Sequence, residues 1–143
     1  MQRILLTLLA AAAFAGGARA AGAEPEPTPP VIHEPFTALP CPIHPDTSVD
    51  IEGCQEMRVL RTDRAIDESV RTIFRLLATR SARSSFVAGE EQWLRYRRQS
   101  CLAEASAYRG GSGEPVVYLS CTLRRNTSHL ADLAAMRKTL SRR

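Results

Sequence analysis

Three stretches of the chain repeat apolar residues at the three- and four-residue steps that are typical of amphipathic helices. The first stretch follows Cys54, has neither glycine nor proline from residue 55 to residue 83, and is predicted to be one helix. Its apolar positions are Met57, Leu60, Ile66, Val70, Ile73, Phe74 and Leu77. The second predicted helix covers residues 86–108, and the third starts near Pro115 and carries apolar residues as far as Leu140. This pattern predicts an all-α fold of three helices.

Turn signals separate the predicted helices, so successive helices are expected to pack antiparallel. Residues 81–85 are rich in serine and indicate a turn, with Ser84 or Ser85 as the N-cap of the second helix. A Gly-Gly-Ser corner follows the second helix, and its Gly110 is a natural C-cap. Pro115 fits the first turn of the third helix, where a missing N–H costs nothing.

The first 20 residues have the three-part pattern of a secretory signal peptide. Arg3 precedes an apolar run at residues 4–15, and small residues around Ala20 and Ala23 offer cleavage sites. The run is shorter than the roughly 20 apolar residues that span a bilayer, which argues against a transmembrane segment. We therefore expect a periplasmic or secreted protein, cleaved near Ala20 or Ala23.

Residues 21–40 are predicted to form a proline-rich leader. Proline lacks a backbone N–H and fixes φ, so this stretch is expected to be irregular and extended. It is interpreted as a spacer, with a ligand for a proline-recognition module as the alternative. The helical domain is then expected at residues 41–140.

The mature chain has four cysteines, which an oxidising compartment would convert into two disulfides. They are Cys41, Cys54, Cys101 and Cys121. Of the three possible pairings, short local loops favour Cys41–Cys54 and Cys101–Cys121. A zinc or redox site is disfavoured because no Cys-x-x-Cys motif occurs and the three histidines are scattered. No metal and no cofactor is expected.

The distribution of charge argues against a nucleic-acid-binding protein, which usually has a basic face. The chain has 19 basic and 15 acidic residues, and cleavage after Ala20 removes Arg3 and Arg19, which leaves 17 against 15. Acidic and basic residues are interleaved along the mature chain. The charges are therefore interpreted as a mixed, solvated surface.

The second helix carries three charged residues on the same stripe as its large aromatic residues, Phe86 and Trp93. The charged residues are Glu90, Arg97 and Glu104. Buried charges must be paired, so these three are predicted to pair with one another or with a neighbouring helix, through Asp67 or Arg71.

A motif of aromatic, basic and cysteine residues on the second helix is followed by the Gly-Gly-Ser corner and a second cysteine. Its positions are Phe86, Trp93, Tyr96, Arg97, Cys101, Glu104, Gly110, Gly111, Ser112, Cys121 and Leu133. With this spacing, the chain from Cys41 to about Leu140 resembles the LprI-like family of exported bacterial proteins, which is named for lysozyme inhibition.

Some polar positions depart from the pattern of that family. Its Ala-Gln pair is Gly89-Glu90 here, and the acid of its first helix corresponds to Asp67, displaced by about one turn. Asn126 and His129 stand where the family has threonine and arginine. These positions are expected to connect the helices, so the departures leave the predicted fold unchanged.

The resemblance implies a non-enzymatic protein that inhibits a lysozyme or another peptidoglycan hydrolase. The candidate binding residues are Arg109, Ser112 and Glu114, since loops on rigid helices are common recognition sites. A loop arginine could pair with one of the two carboxylates of a lysozyme cleft. The alternative is a structural or stress-related envelope protein that binds another component. An enzyme is disfavoured because Ser112 lies outside a Gly-x-Ser-x-Gly elbow, and Glu90 and Glu104 are nearly four helical turns apart.

Overall fold

The computed structural model describes residues 25–142 and confirms the all-α fold. Within this range there are three α-helices: α1 (Ser48–Leu76), α2 (Arg80–Ala105) and α3 (Glu114–Leu140). A short 3-10 turn, Ser106–Tyr108, continues the end of α2. No helix of the described region is long and apolar enough to cross a membrane. The predicted signal peptide lies outside the described residues.

Helix α1 begins six residues before Cys54, so the sequence-based start was wrong. The reason is a capping box at Thr47, whose hydroxyl accepts a hydrogen bond from the Asp50 N–H. In return, the Asp50 carboxylate accepts the Thr47 N–H over 3.1 Å. The two bonds satisfy free donors of the first turn, and this makes an early start stable even with Gly53 inside the helix.

The turn between α1 and α2 was also misplaced by the sequence. It occupies residues 77–79, and Thr79 caps α2 by accepting a hydrogen bond from the Ala82 N–H over 3.1 Å. Ser84 and Ser85, the predicted N-caps, lie inside α2. A Thr79 hydroxyl satisfies the same free donors five residues earlier, so the chain turns there.

The predicted corner between α2 and α3 is confirmed, but α2 ends three residues earlier than predicted and its C-cap is Ser106, not Gly110. Gly110 has a φ of 79°, a left-handed conformation that glycine adopts without steric cost. Pro115 lies in the first turn of α3, as predicted. The chain therefore reverses direction over residues 109–113.

Helices α1 and α3 run parallel, and α2 runs antiparallel to both. Contacts along the helices show this: Ser48 meets Ser112 at one end, and Thr62 meets Asn126 near the middle. The apolar core consists of Ile66, Val70, Ile73 and Leu133. The side chains of Phe86, Trp93, Leu130, Leu140, Leu77 and Ile32 pack around it. Two members of the predicted apolar faces, Met57 and Met136, are exposed instead.

Residues 25–40, here called the strap, are irregular as their prolines predict, but they are not a free spacer. The Ile32 N–H donates to Asp67 of α1 over 3.1 Å, and the Leu39 N–H donates to Glu56 of α1 over 2.6 Å. Glu26 forms a 2.9 Å ion pair with Arg83 of α2. The strap therefore lies along the groove between α1 and α2 and forms part of the packed domain.

Both predicted disulfides are confirmed. Cys41–Cys54 joins the end of the strap to α1, with the two Cα atoms 4.5 Å apart. Cys101–Cys121 joins α2 to α3, and both of its residues are fully buried. One bond thus holds the strap and the other holds the helical hairpin.

Candidate functional site

The predicted binding corner is held in shape by its own hydrogen bonds. The Gly110 N–H donates to the Glu114 carboxylate over 2.8 Å. The hydroxyl of Ser112 lies 3.4 Å from the hydroxyl of Ser48, at the start of α1. Two of the three candidate residues, Ser112 and Glu114, therefore hold the corner in the free protein.

Arg109 differs from these two residues because its side chain is exposed and unpaired among residues 25–142. Exposed apolar side chains lie at the same end of the molecule, which is formed by the start of α1 and the corner. They are Ile43, Val49 and Tyr108. We call residues 42–49 and 108–114 the corner surface, which combines one free guanidinium with apolar area.

The Arg97 guanidinium makes three hydrogen bonds in the interior. It donates to Glu34 of the strap and to Asp63 of α1, each over 2.6 Å, and to the Asn126 amide oxygen of α3 over 2.8 Å. The exposed fractions of the Arg97, Glu34 and Asp63 side chains are 8%, 4% and 6%. These four residues, the Arg97 cluster, join the strap and all three helices at one point.

The Arg97 cluster contains two carboxylates and one cation whose side chains are largely shielded from solvent. Burial raises the pKa of Glu34 above its ordinary value of 4.5, and the neighbouring Arg97 charge opposes that shift. Asn126 also donates to Asp63 over 2.8 Å, whereas the second Asp63 oxygen has no partner within the described region. The cluster is therefore a structural junction in which one buried acceptor, an Asp63 oxygen, is left without a partner among residues 25–142.

A second buried pair lies further along α2 and α3, about two turns from Arg97 on α2 and one turn from Asn126 on α3. His129 Nε2 and the Glu90 carboxylate are 2.8 Å apart, and the His129 ring stacks on Trp93 with the ring centroids 3.8 Å apart. Trp93 is half-buried and shares the core with Phe86. His129, which departs from the family pattern, therefore fits into a compact contact between α2 and α3.

The interpretation of the stripe charges as structural partners is confirmed, but the predicted partners were wrong. Arg97 pairs with Asp63 and Glu34, because both carboxylates reach it in the interior. Asp67 instead accepts the Ile32 N–H of the strap. Arg71 is exposed.

Two further positions of the family motif lie on the surface of α2. Glu104 forms a 2.8 Å ion pair with Arg124 of α3. Tyr96 is half-exposed, and the Arg125 guanidinium carbon lies 5.2 Å from the centroid of its ring. Among the described residues, no group of three or more His, Cys, Asp or Glu side chains is placed to hold a metal ion.

Sequence reasoning missed Glu34 and Asp63 as partners of Arg97. Their separations from Arg97 are 63 and 34 residues, so no helical spacing connects them. The sequence did offer one clue. An arginine on the apolar face of a helix needs an acidic partner from another part of the chain, and the strap contains only a few acidic residues.

Comparison with known proteins supplies one match. The model of the family described as lysozyme inhibitor LprI matches residues 41–133. No curated protein and no solved structure gives a significant match. The match includes both disulfides and every motif position from Phe86 to Leu133, whereas the whole strap lies before it.

Proposed function

The chain belongs to the lysozyme inhibitor LprI family, and on this premise we propose that it is an exported, non-enzymatic protein that inhibits a lysozyme or a related cell-wall hydrolase. The family match over residues 41–133 is the observation that carries the proposal. Export is inferred from the signal-peptide pattern of residues 1–20.

The corner surface is the proposed contact with the hydrolase. A lysozyme cleft carries two carboxylates, and a guanidinium can donate two parallel hydrogen bonds to one of them. Arg109 suits this role because no other described residue engages its side chain. Ile43, Val49 and Tyr108 would supply the apolar contact that surrounds a charged anchor.

A contact of this kind needs little rearrangement of the inhibitor. The Glu114 and Ser112 bonds already hold the corner, so few side chains must be ordered on binding. The near-neutral charge of the mature chain gives weak electrostatic steering, so we expect an association rate typical of unsteered protein pairs.

The placement of the acids supports the non-enzymatic part of the proposal. Glu90 is bonded to His129 and Glu104 to Arg124. The 14 residues between the two acids correspond to roughly 21 Å along a helix, against about 5–9.5 Å between the carboxyls of a glycosidase. The two acids therefore do not form a glycosidase pair.

The test is a cell-wall lysis assay with the oxidised mature protein added to lysozymes of several types. We expect inhibition at near-stoichiometric ratios. Arg109→Ala should weaken it at least several-fold while the melting temperature stays nearly unchanged, because an exposed charge contributes little to folding.

Arg95→Ala is the matched control, since Arg95 is also exposed but lies on α2, away from the corner surface. It should inhibit like the unmodified protein. Equal inhibition by the Arg109 and control variants would move the contact elsewhere on the molecule. No inhibition of any lysozyme would refute the proposal and favour an envelope protein with a different partner.

A further inference from the structure

The two ends of the helical domain differ in charge, although the sequence-based interpretation was a mixed surface. Residues 74–83 and 136–142 lie together where α1 and α3 end and α2 begins, and we call them the basic end. They contain no acid and six basic residues, which are Arg75, Arg80, Arg83, Arg137, Lys138 and Arg142. At the opposite end, residues 42–52 and 108–114 contain four acids and one arginine. Positive charge is therefore concentrated at the end of the molecule that lies away from the corner surface.

Four of the six cations are not paired with an acid. Arg75, Arg137, Lys138 and Arg142 are exposed, and none of them forms an ion pair among residues 25–142. The Arg75 guanidinium donates only a long hydrogen bond, 3.4 Å, to Thr72 of its own helix. These four side chains are therefore available to an anionic partner.

One acid of the strap pairs with the basic end. Glu26 forms ion pairs of 2.9 Å with Arg83 and 4.0 Å with Arg80. The last acids of α1 and α3, Glu68 and Asp132, each lie eight residues before the end of their helix, about 12 Å away along the axis. Six cations and one paired acid leave a net charge of +5 at this end, six minus one.

Helix dipoles explain only part of this arrangement. Cations are favourable in the last turn of a helix, and Arg75, Arg137 and Lys138 lie in such turns. The first turn of a helix favours acids instead, yet the first turn of α2 has none, and Arg80 and Arg83 lie at its start. The positive charge thus exceeds what the helix ends require, which points to a binding role.

Apolar surface lies among these cations. Leu76 is 43% exposed, and an open pocket of about 300 Å³ lies beside it. The pocket is lined by Leu76, Leu77, Ala78, Thr79, Ala82 and Leu140. A soluble polyanion would gain nothing from an apolar lining, whereas an anionic bilayer offers both charged headgroups and acyl chains. The combination of charge and apolar surface therefore favours a lipid surface.

The course of the chain points to the same partner. The strap meets the basic end at Pro25, whose carbonyl oxygen accepts a 2.6 Å hydrogen bond from Arg80. Only residues 16–24 separate Pro25 from the apolar run at residues 4–15, and a chain of that length spans at most about 35 Å. While the predicted signal peptide is uncleaved and in the membrane, this connection attaches the domain to the bilayer by its basic end.

We propose that the basic end docks the mature protein onto an anionic lipid bilayer, with Leu76 and the neighbouring pocket against the headgroup and acyl-chain boundary. Helix α3 has 27 residues and is about 40 Å long, so the corner surface then faces away from the membrane. The excess of acid at the corner end favours the same orientation. The inference goes beyond the proposed inhibition and shares only export with it. Lipid binding and inhibition are measured separately, so either can fail alone.

Co-sedimentation with vesicles tests the proposal. The oxidised mature protein is mixed with vesicles of equal parts phosphatidylglycerol and phosphatidylcholine, or with vesicles of phosphatidylcholine alone. We expect binding to the anionic vesicles to be roughly tenfold stronger or more, because several cations face the anionic surface. Binding should weaken as the salt concentration rises from about 0.05 M to about 0.5 M, since salt screens exposed charges.

A pair of charge variants locates the contact. Lys138→Gln combined with Arg142→Gln should weaken binding to the anionic vesicles roughly 25-fold, because each cation near such a surface contributes about fivefold. Arg95→Gln combined with Arg98→Gln is the matched control, since both residues are exposed and lie at least about 22 Å beyond the start of α2. The control should bind within about twofold of the unmodified protein, because charges beyond the Debye length of about 10 Å are screened.

The apolar part of the contact has its own pair of variants. Leu76→Ser should weaken binding several-fold, because it removes apolar surface from the headgroup boundary. Leu102→Ser is the control, since Leu102 is 52% exposed but lies near the other end of α2. Circular dichroism shows whether each variant keeps its helices. With a spin-labelled lipid in the vesicles, amide NMR signals should broaden only at residues 74–83 and 136–142.

Four outcomes would overturn the proposal. The first is no preference for anionic vesicles over neutral ones. The second is an equal loss of binding in the two double charge variants. The third is lipid-induced broadening elsewhere on the molecule. The fourth is tight binding to heparin without binding to vesicles, which would make the basic end a site for a soluble polyanion.

Discussion

Replacement of Arg97 by methionine tests whether the Arg97 cluster holds the strap and the helices together. Methionine keeps most of the side-chain length and removes all three hydrogen bonds of the guanidinium. It leaves Glu34 and Asp63 buried, with exposed fractions of 4% and 6%, and without a cation. Breaking a buried ion pair by removing one partner costs about 3–5 kcal/mol. We expect Arg97→Met to lower the free energy of unfolding by that amount near pH 7.

The pH dependence of this loss separates electrostatics from packing. Burial already raises the pKa of Glu34, and without Arg97 its carboxyl is protonated still more readily. A raised pKa in the folded state destabilises the fold as the pH rises through it, because the unfolded chain releases its proton first. The loss caused by Arg97→Met should therefore shrink as the pH is lowered toward the ordinary value of 4.5.

Urea unfolding of the oxidised protein, followed by far-UV circular dichroism, measures both effects. Arg98→Met is the control, since Arg98 is the exposed neighbour of Arg97, and it should change stability by less than about 0.5 kcal/mol. Adding Glu34→Gln and Asp63→Asn to Arg97→Met should restore part of the loss. A loss below about 1 kcal/mol near pH 7, or one independent of pH, would refute the reasoning.

Two further predictions concern the contacts between the strap and α1. Gly53→Ala should destabilise the protein, because the new Cβ would overlap the Pro40 carbonyl oxygen and lie 2.9 Å from a strap side chain. An overpacking cost of about 1–3 kcal/mol outweighs the helix propensity of alanine. At Gly89 the new Cβ of an alanine would meet open space, so Gly89→Ala should raise the free energy of unfolding by up to about 1 kcal/mol, measured by thermal or urea unfolding. Destabilisation by both glycine substitutions would contradict this reasoning. Burial raises the pKa of Asp67 above its ordinary value of 3.8, so in the folded state the Asp67 carboxyl keeps its proton to a higher pH. Stability therefore falls as the pH rises from the ordinary pKa through the raised one. Asp67→Asn keeps an acceptor for the Ile32 N–H and should lose this dependence, so unfolding at about pH 3 and about pH 6 should show the unmodified protein falling relative to the variant.

The helices and the disulfides could be predicted because their signals are local. Apolar spacing indicated three helices, and short loops favoured the observed cysteine pairs. The two misplaced boundaries arose from competition among similar caps. Thr47 and Thr79 were readable as N-caps, but the serines at 84 and 85 and the glycine at 53 gave conflicting signals.

The Arg97 cluster and the position of the strap could not be predicted in the same way. Proline content indicates an irregular chain but says nothing about the surface on which that chain packs. The pairing of Arg97 with Glu34 depends on how the strap packs against the assembled helices. Arg109 was proposed as a binding residue from its place in a loop, and that role stays a prediction, whereas the holding roles of Ser112 and Glu114 emerged only from the folded corner.

The Cys41–Cys54 bond influences the Glu34–Arg97 ion pair without being part of it. Glu34 precedes Cys41 by seven residues, so the bond tethers the Glu34 carboxylate to α1 through seven residues. When the bond is reduced, the next attachment of the chain to α1 is the start of that helix at Ser48, so the tether doubles to 14 residues. Doubling a flexible tether costs about 0.6 kcal/mol, which lowers the effective concentration of the carboxylate at Arg97 roughly threefold. The oxidation state of a bond near the surface thus sets the local concentration of a buried ion-pair partner.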